Sequence, residues 1–324
     1  MEDLHFSTLY RFSNHLKLIA AKCFVCETNE SFPIGSGKDF EYDSSSDIFT
    51  VYKCKSCGLI YLNPRPDLSE FEQIYPTNYH AFDFSEKEFG LVYKVRCWLE
   101  GRRILNFCKD VPQNGRILDV GCGDGFHLKL IQRYGHKSWI CEGVDIDNRA
   151  IEMAKKSGLS AHLGTLETIS LSQSSYDLIL MIQTIEHLAD PEAELLSIRR
   201  LLKPGGKLVI VTDNTGSVDF NLFKERYWGG YHFPRHWYLF NRYSMQKLAE
   251  KTDFEVSYLG TQCSPVNWVY TVHNWLVDIK APLRLRNAFT LKSTFSLAFF
   301  TIVDFVLQKF RRGELLRVKL RKPL

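Results

Sequence analysis

Long apolar runs are missing from this sequence. The longest uncharged stretch near its C-terminal end, Ser293–Val303, stops after 11 residues between Lys292 and Asp304, too short to cross a hydrocarbon layer of ~30 Å. The first 22 residues carry Glu2, Asp3, Arg11 and Lys17 and hold no continuous apolar segment, so no secretory leader is expected there. A surplus of one charge is also lacking. Lys and Arg total 41 against 37 Asp and Glu, a net charge of +4, far from the balance of a dedicated nucleic-acid domain. Basic residues gather only near the end, at Lys309, Arg311, Arg312, Arg317, Lys319, Arg321 and Lys322. With 45% apolar and 24% charged residues, long disordered tracts are excluded. The nine cysteines are odd in number, and without an export leader that count speaks for reduced thiols rather than a disulfide framework. A cytoplasmic location is expected.

Three regions separate by pattern. Residues 1–84 are rich in turn formers, with Gly35-Ser-Gly37, Ser44-Ser-Ser46 and Asn63-Pro-Arg-Pro66, and suit a small module with little apolar mass of its own. Residues 85–114 repeat apolar side chains at helical spacing (Leu91, Val95, Trp98, Leu99, Ile104, Leu105), predicting one or two connecting helices. From Gly115 to the end at Leu324, strands and helices alternate. Strands are expected at Arg116–Val120, Trp139–Asp145, Ala161–Leu163, Tyr176–Ile182 and Lys207–Thr212, and helices at Gly125–Tyr134, Arg149–Lys156 and Pro191–Leu202. Lys203-Pro-Gly-Gly206 is expected to end the last of these helices. Unbroken apolar strands between helices imply an α/β, doubly wound, mostly parallel sheet covered on both faces.

The strongest local signal is Ile117-Leu-Asp-Val-Gly121-Cys-Gly123-Asp-Gly125, a strand entering a glycine-rich turn before a helix. Glycines allow the tight turn and a close approach of ligand to backbone. Asp145, twenty residues after Gly125, ends the next strand, where a carboxylate can accept hydrogen bonds from both ribose hydroxyls of an adenosine ligand. A dinucleotide fingerprint would place its third glycine at Phe126, which disfavours a pyrophosphate. Asp119 has two open readings: it caps nearby backbone N–H groups, or it faces the ligand. Cys122 reads as a small packing residue.

Four segments in order, LDVGCGDG (Leu118–Gly125), GVDID (Gly143–Asp147), YDLILMIQTIEHLADP (Tyr176–Pro191) and LLKPGGKLVIV (Leu201–Val211), resemble the successive motifs of class I SAM-dependent methyltransferases. The resemblance covers about Gly115–Phe254. It implies a Rossmann-like sheet of seven strands, one antiparallel, and S-adenosyl-L-methionine (SAM) as cofactor. Gly121, Gly123 and Gly125 would lie along SAM with Asp119 beside them, and Asp145 would hold its ribose. Ile146 and Leu166 would flank the adenine, and Gln183 would touch the methionine part. Thr165 stands where many members have Asp.

Cys23-Phe-Val-Cys26 and Cys54-Lys-Ser-Cys57 are 27 residues apart. Two such pairs can supply four thiolates to one tetrahedral Zn²⁺, a closed and therefore structural site in a zinc-ribbon-like module. The layout CFVC…CKSCGLIYLNPRP ahead of a methyltransferase domain resembles a bacterial subfamily of sugar and cell-surface-polysaccharide methyltransferases.

Methyl transfer from SAM needs an aligned acceptor and, for a hydroxyl, a base. Two places offer one. Glu186-His187 follows the fourth strand, on the edge where ligands bind in open α/β sheets; its alternative role is to fix the loop. Trp228–Phe240 concentrates His232, Arg235 and His236 among aromatics and reads as an acceptor-site lid, against a bland reading as aromatic packing. His236, His232 and His187 are the expected catalytic or acceptor-binding residues, with Arg235 as an anchor for an anionic acceptor. Toward the end, Asn267–Lys280 and Lys292–Lys309 read as apolar helices and Gly313–Lys322 as the final strand. The helices either cover the acceptor site or a dimer face, or rest peripherally on a membrane.

The expected function is methyl transfer, to oxygen, on a small-molecule or glycan acceptor such as a sugar nucleotide or lipid-linked sugar. The alternatives are an RNA methyltransferase and a non-catalytic scaffold with the SAM fold. RNA is disfavoured because Cys23–Cys57 holds Glu27, Glu30, Asp39, Glu41, Asp43 and Asp47 against three lysines, a surface that would repel phosphates. An intact glycine loop and Asp145 argue against the scaffold.

Overall fold

A computed structural model describes residues 15–76, 79 and 86–324. Glu2, Asp3 and Arg11, on which the absence of a leader was argued, lie outside them. In the N-terminal part, β1 (Leu18–Ile19), β2 (Ser31–Gly37), β3 (Phe49–Cys54), β4 (Ile60–Leu62) and β5 (Arg65–Pro66) are short strands. β2 and β3 form the antiparallel hairpin between the two cysteine pairs, and β4 adds to β3. A one-turn helix α1 (Phe71–Ile74) and the helix α2 (Glu86–Cys108), broken at Gly90, lead onward.

The large sheet begins with β6 (Arg116–Val120), followed by α3 (Phe126–Tyr134), β7 (Ile140–Asp145), α4 (Asn148–Lys156), β8 (Ser160–Leu163), β9 (Tyr176–Ile182), α5 (Pro191–Leu201) and β10 (Leu202–Asp213). After β10 come α6 (Val218–Phe223), β11 (Tyr238–Leu239), α7 (Arg242–Lys251), β12 (Glu255–Gln262), α8 (Val266–Asp278), α9 (Leu283–Asn287), α10 (Thr294–Lys309) and β13 (Leu315–Arg321). The seven-stranded order is β12-β13-β10-β9-β6-β7-β8. Strands β10, β9, β6, β7 and β8 pair in parallel, and β13 runs antiparallel to both neighbours. This is the Rossmann-like methyltransferase fold expected from the motifs. Lys203–Gly206 was read only as a helix stop; it forms a register shift within β10. Helix starts follow local chemistry: Asp190 caps α5 by accepting from Ala193 N at 3.0 Å, with Pro191 at the first turn.

The N-terminal sheet is not poor in apolar mass, and that expectation is corrected. Phe49, Val51, Leu59, Ile60 and Leu62 are buried in one hydrophobic cluster with Leu118, Ile179 and Ile210 of the large sheet. Its fourth strand is β11, which pairs with β4 in the register Tyr238↔Tyr61 and Leu239↔Ile60. A segment far along the chain thus completes it, which no local pattern could announce. Among the described residues, no helix is long and apolar enough to cross a membrane.

Candidate active site

The carboxyl ends of β6, β7, β9 and β10 form one edge with two halves, one around the glycine loop, expected for the cofactor, and one around the histidines, expected for the acceptor. In the cofactor half, the loop after β6 is hooked onto β7: Gly121 N and Cys122 N donate to Val144 O at 2.8 and 3.0 Å. A Cβ at Gly121 would sit 2.4 Å from the Thr184 side chain, and one at Gly125 would sit 2.1 Å from Leu159 Cδ1. At Gly123 a Cβ would meet nothing within 4 Å. Two glycines therefore serve packing, and the third leaves open space over the loop. Cys122 is buried in an apolar cluster, as a packing residue.

Asp145 accepts from Gly123 N at 2.8 Å and Asp147 N at 2.9 Å; burial nevertheless raises its pKa. Ile146, next to it, is 51% exposed, unusual for a large aliphatic side chain at a strand end. Asp119 is buried, and neither of its oxygens has a hydrogen-bond partner among the described residues. Its pKa is pushed up to about 8 by burial and by Asp145. The capping reading of Asp119 is thereby corrected. His127 Nδ1 lies 3.8 Å away, but burial lowers that imidazole to about 4, so it brings no positive charge near neutral pH. Leu166 follows β8, half-buried, and Gln183 follows β9, exposed, in the left-handed region at φ 52°.

Asp119, a buried acid with no hydrogen-bond partner among the described residues, beside an open backbone cradle suits a ligand that carries positive charge. The residues present fit SAM: its positive charge matches Asp119, its ribose hydroxyls the half-buried Asp145 and its adenine the exposed Ile146.

The acceptor half brings His187, His232 and His236 together. His187 and His236 have ring centroids 4.6 Å apart, and His232 and His236 5.0 Å. His236 Nδ1 lies 2.8 Å from Gly230 O and 3.2 Å from Asp213 Oδ2. Burial alone would lower its pKa, but the Asp213 carboxylate outweighs this and raises it. His187 Nδ1 is 2.9 Å from the Tyr75 hydroxyl and 3.2 Å from Arg235 O, and burial with the neighbouring His236 lowers its pKa. His232 Nδ1 is 2.8 Å from Glu41 Oε1; burial lowers its pKa against the pull of that carboxylate. Glu186 is fully buried, with Oε2 accepting from Thr212 Oγ1 at 2.7 Å and Oε1 without a hydrogen-bond partner among the described residues. Burial pushes Glu186 up to about 7. Donor atoms of Glu186, His187 and His236 all lie within 4.8 Å of one another.

Two expectations change here. The Trp228–Phe240 segment is not a lid: Trp228, Tyr231, Trp237 and Phe240 are buried, and Trp237 N donates to Glu186 O at 2.8 Å. Arg235 is no acceptor anchor. It is wholly buried, donating to Asp39 Oδ2 at 2.8 Å and to Phe233 O at 2.9 Å. Asp39 and Glu41 therefore face inward onto this segment, and the phosphate-repelling surface read from the acids of Cys23–Cys57 loses two of its members.

Sequence reasoning missed the contribution of the N-terminal part. Glu41, Tyr42, Tyr75 and Tyr79 pack around His187 and His232, and Arg149, just past Asp145, donates to Tyr75 O at 3.3 Å. Asn267 of α8 donates to Asp213 Oδ1 at 2.7 Å. The one available signal was the run of acids and tyrosines in a small module, which is equally typical of a solvated surface.

At the far end of the N-terminal sheet, Cys23, Cys26, Cys54 and Cys57 carry free thiols whose sulfurs all lie within 4.8 Å of one another, with Cys23 Sγ and Cys57 Sγ 3.5 Å apart. Three of the four residues are buried. Four converging thiols without a disulfide fit the donor set of a structural Zn²⁺.

The model of a family described as a methyltransferase domain matches residues 96–259, just over half of the chain. A ubiquinone biosynthesis O-methyltransferase of Cereibacter sphaeroides is 35% identical over 111 residues, covering 32% of this chain and 44% of that protein. One from Xanthomonas oryzae pv. oryzae is 32% identical over 114 residues, covering 33% and 46%. The match spans less than half the length of these curated relatives. Phosphoethanolamine N-methyltransferase 2 of Haemonchus contortus, solved in complex with SAM, superposes with a TM-score of 0.54 at 16% identity, covering 92% of this chain and 70% of that one, a likeness of fold. The chain belongs to the methyltransferase-domain family and carries a class I SAM-dependent methyltransferase domain.

Proposed function

We propose that this methyltransferase acts on a hydroxyl of a small-molecule or glycan acceptor, a sugar nucleotide, lipid-linked sugar or similar compound, with His236 as the base. The observation that carries the reading is the state of that imidazole. Gly230 O can only accept a hydrogen bond, so Nδ1 of His236 bears the proton. Nε2 is then left with a lone pair, and Asp213 stands ready to stabilise the cation formed when it takes a proton. When bound, SAM would supply a methyl group on a positively charged sulfur, with a neutral thioether as its product. His236 would take the proton of the acceptor hydroxyl, freeing that oxygen for methylation. His187 and His232, held neutral by burial, hydrogen-bond the acceptor, and Tyr75 and Tyr79 help exclude water.

In the same reading, Asp145 holds the ribose hydroxyls, Ile146 and Leu166 flank the adenine, and Gln183 meets the methionine part. Gly121, Gly123 and Gly125 shape the cradle, and Asp119 faces its charge. Cys23, Cys26, Cys54 and Cys57 hold a structural Zn²⁺, in keeping with the resemblance to the subfamily bearing an N-terminal zinc module. Residues 1–84 are that module, 85–114 the connecting helices and 115–324 the catalytic domain. The module's task is to wall the acceptor chamber rather than to grip RNA, and the site of action is the cytoplasm.

The test uses zinc-replete protein and SAM carrying a ¹³C-labelled methyl group, incubated with pools of sugar nucleotides and of lipid-linked sugars. An ether-type methyl resonance, absent with His236→Ala, supports the reading; an N-methyl or C-methyl product overturns it. Calorimetric titration with SAM beside Asp145→Ala checks the cofactor half separately.

A further inference from the structure

Helix α10 is built inside out for a surface helix. Phe295 (79% exposed), Phe299, Ile302 (68%) and Val306 follow one another at spacings of four, three and four along its outer face, and Phe310 (73%) continues the stripe beyond its end. Two of its polar residues point inward. Ser296 and Asp304 are buried, and Asp304 accepts from Ser264 N and Glu314 N, each at 2.9 Å. Phe300, also on the inner face, stacks on Trp268 with centroids 5.5 Å apart and planes 7° from parallel. Rotating the helix to hide its phenylalanines would orphan those two buried N–H groups and break the stack. The outward aromatics are therefore held in place by the fold.

Trp275 and Ile279 at the end of α8, which packs on α10, and Leu283 and Leu285 on α9, which packs on α8, are exposed as well. Beyond Asp278, which ends α8 and pairs with Arg226, the charge of this region is basic. From Ile279 to Arg312 the chain has seven Lys and Arg, including exposed Lys280, Arg284, Lys309, Arg311 and Arg312. Its one acid there, Asp304, is the buried anchor.

These features identify the occupant. A second copy bound about a two-fold axis would set this basic rim against itself. An anionic lipid surface meets both requirements: headgroups face the Lys and Arg, and the apolar stripe sinks among the acyl chains. With 16 residues, α10 lies in the interface plane rather than across it.

We propose that the α8–α10 face docks this enzyme on an anionic bilayer. Docking would set the acceptor chamber next to the membrane, because the inner side of α8 is part of the chamber wall: Asn267 bonds Asp213, and Thr271 Oγ1 accepts from Gly229 N at 2.8 Å. Within the function proposed above, and resting on it, this selects the lipid-linked members of the acceptor class.

The experiment is flotation of the full chain with vesicles of phosphatidylcholine alone or mixed with phosphatidylglycerol, at low and raised salt. The wild type should float with the anionic vesicles, less so as salt rises. Phe295→Ser/Phe299→Ser/Ile302→Ser and Lys309→Glu/Arg311→Glu/Arg312→Glu should each lose about tenfold or more in partitioning. Calorimetric SAM affinity should be unchanged in both, showing that they fold. No flotation of the wild type at millimolar lipid, or flotation of both variants like the wild type, overturns the proposal. So does a wild-type dimer in sedimentation that the serine variant dissolves, since the face would then be an interface between copies. Because flotation needs no turnover, failure of the methyl-transfer reading and failure of docking are told apart.

Discussion

The two halves of the site are built in opposite ways. The cofactor half is contiguous: Asp119, Gly121, Gly123 and Gly125 lie within seven residues, and Asp145 closes the next strand, tied back by the hydrogen bond from Gly123 N. The acceptor half is assembled from distant pieces: Glu41 and Tyr75 from the N-terminal part, Glu186 and His187 after β9, Asp213 at the end of β10, His232 and His236 from the following segment, and Asn267 from α8. A turn that must approach one cofactor closely calls for glycines at fixed spacing. A chamber for a particular acceptor needs side chains aimed at one point, and any loop that reaches it can supply them.

The largest effect that separates the halves should come from the proposed zinc. Stripping it with a chelator, or Cys54→Ser, is expected to cost on the order of 10 kcal/mol of local folding free energy. Amide exchange should then rise through residues 18–66 and 228–240, which β11 ties to that sheet, while 116–145 stay protected. Equal loss in both regions would erase the contrast. Next is His236→Ala, expected to lower kcat/KM by about 10²–10⁴-fold with SAM affinity unchanged in calorimetry. Asp145→Ala should do the reverse and abolish SAM binding. Arg235→Ala leaves Asp39 as an unpaired charge in the interior, expected to cost about 3–5 kcal/mol in a denaturant midpoint measurement. A loss under about 1 kcal/mol would show that the N-terminal sheet is held by its apolar contacts alone.

The smallest expected effect is a displacement in pH. A base must be unprotonated, so kcat/KM should rise as pH climbs through the ionisation of His236. Asp213 favours its protonated form and raises that pKa. Asp213→Asn removes the negative charge, so the acidic limb of the profile should move to lower pH. An unmoved limb would assign it to a group that does not feel the Asp213 charge, neither His236 nor Glu186, whose pKa Asp213 also raises.

Much of the large sheet was legible. Arg116–Val120 and Tyr176–Ile182 are strands at the bounds their unbroken apolar runs suggested, because a strand buried on both faces must be apolar throughout. The three histidines were legible as residue types concentrated near strand ends. Their partners were not. Asp39 and Glu41 read as solvated acids, and nothing local distinguishes an acid facing water from one that meets Arg235 or His232 across nearly two hundred residues of chain. The lid reading of Trp228–Phe240 failed for a related reason: aromatics and glycines suit a mobile loop and a packed connector equally, and the pairing of β11 with β4 decides between them.

By itself the sequence determined the doubly wound sheet, the glycine cradle with Asp145, and the four thiols in two tight turns. Each of these depends on spacing within one or two adjacent elements, where backbone geometry leaves few options. Only the tertiary structure decided that Asp119 has no hydrogen-bond partner among the described residues, that Arg235 bolts the N-terminal sheet in place, that three imidazoles cluster, and that α10 turns its phenylalanines outward. Those outcomes depend on which surfaces meet after the chain has crossed itself, and burial, charge and exposure are properties of that meeting rather than of any residue in the line.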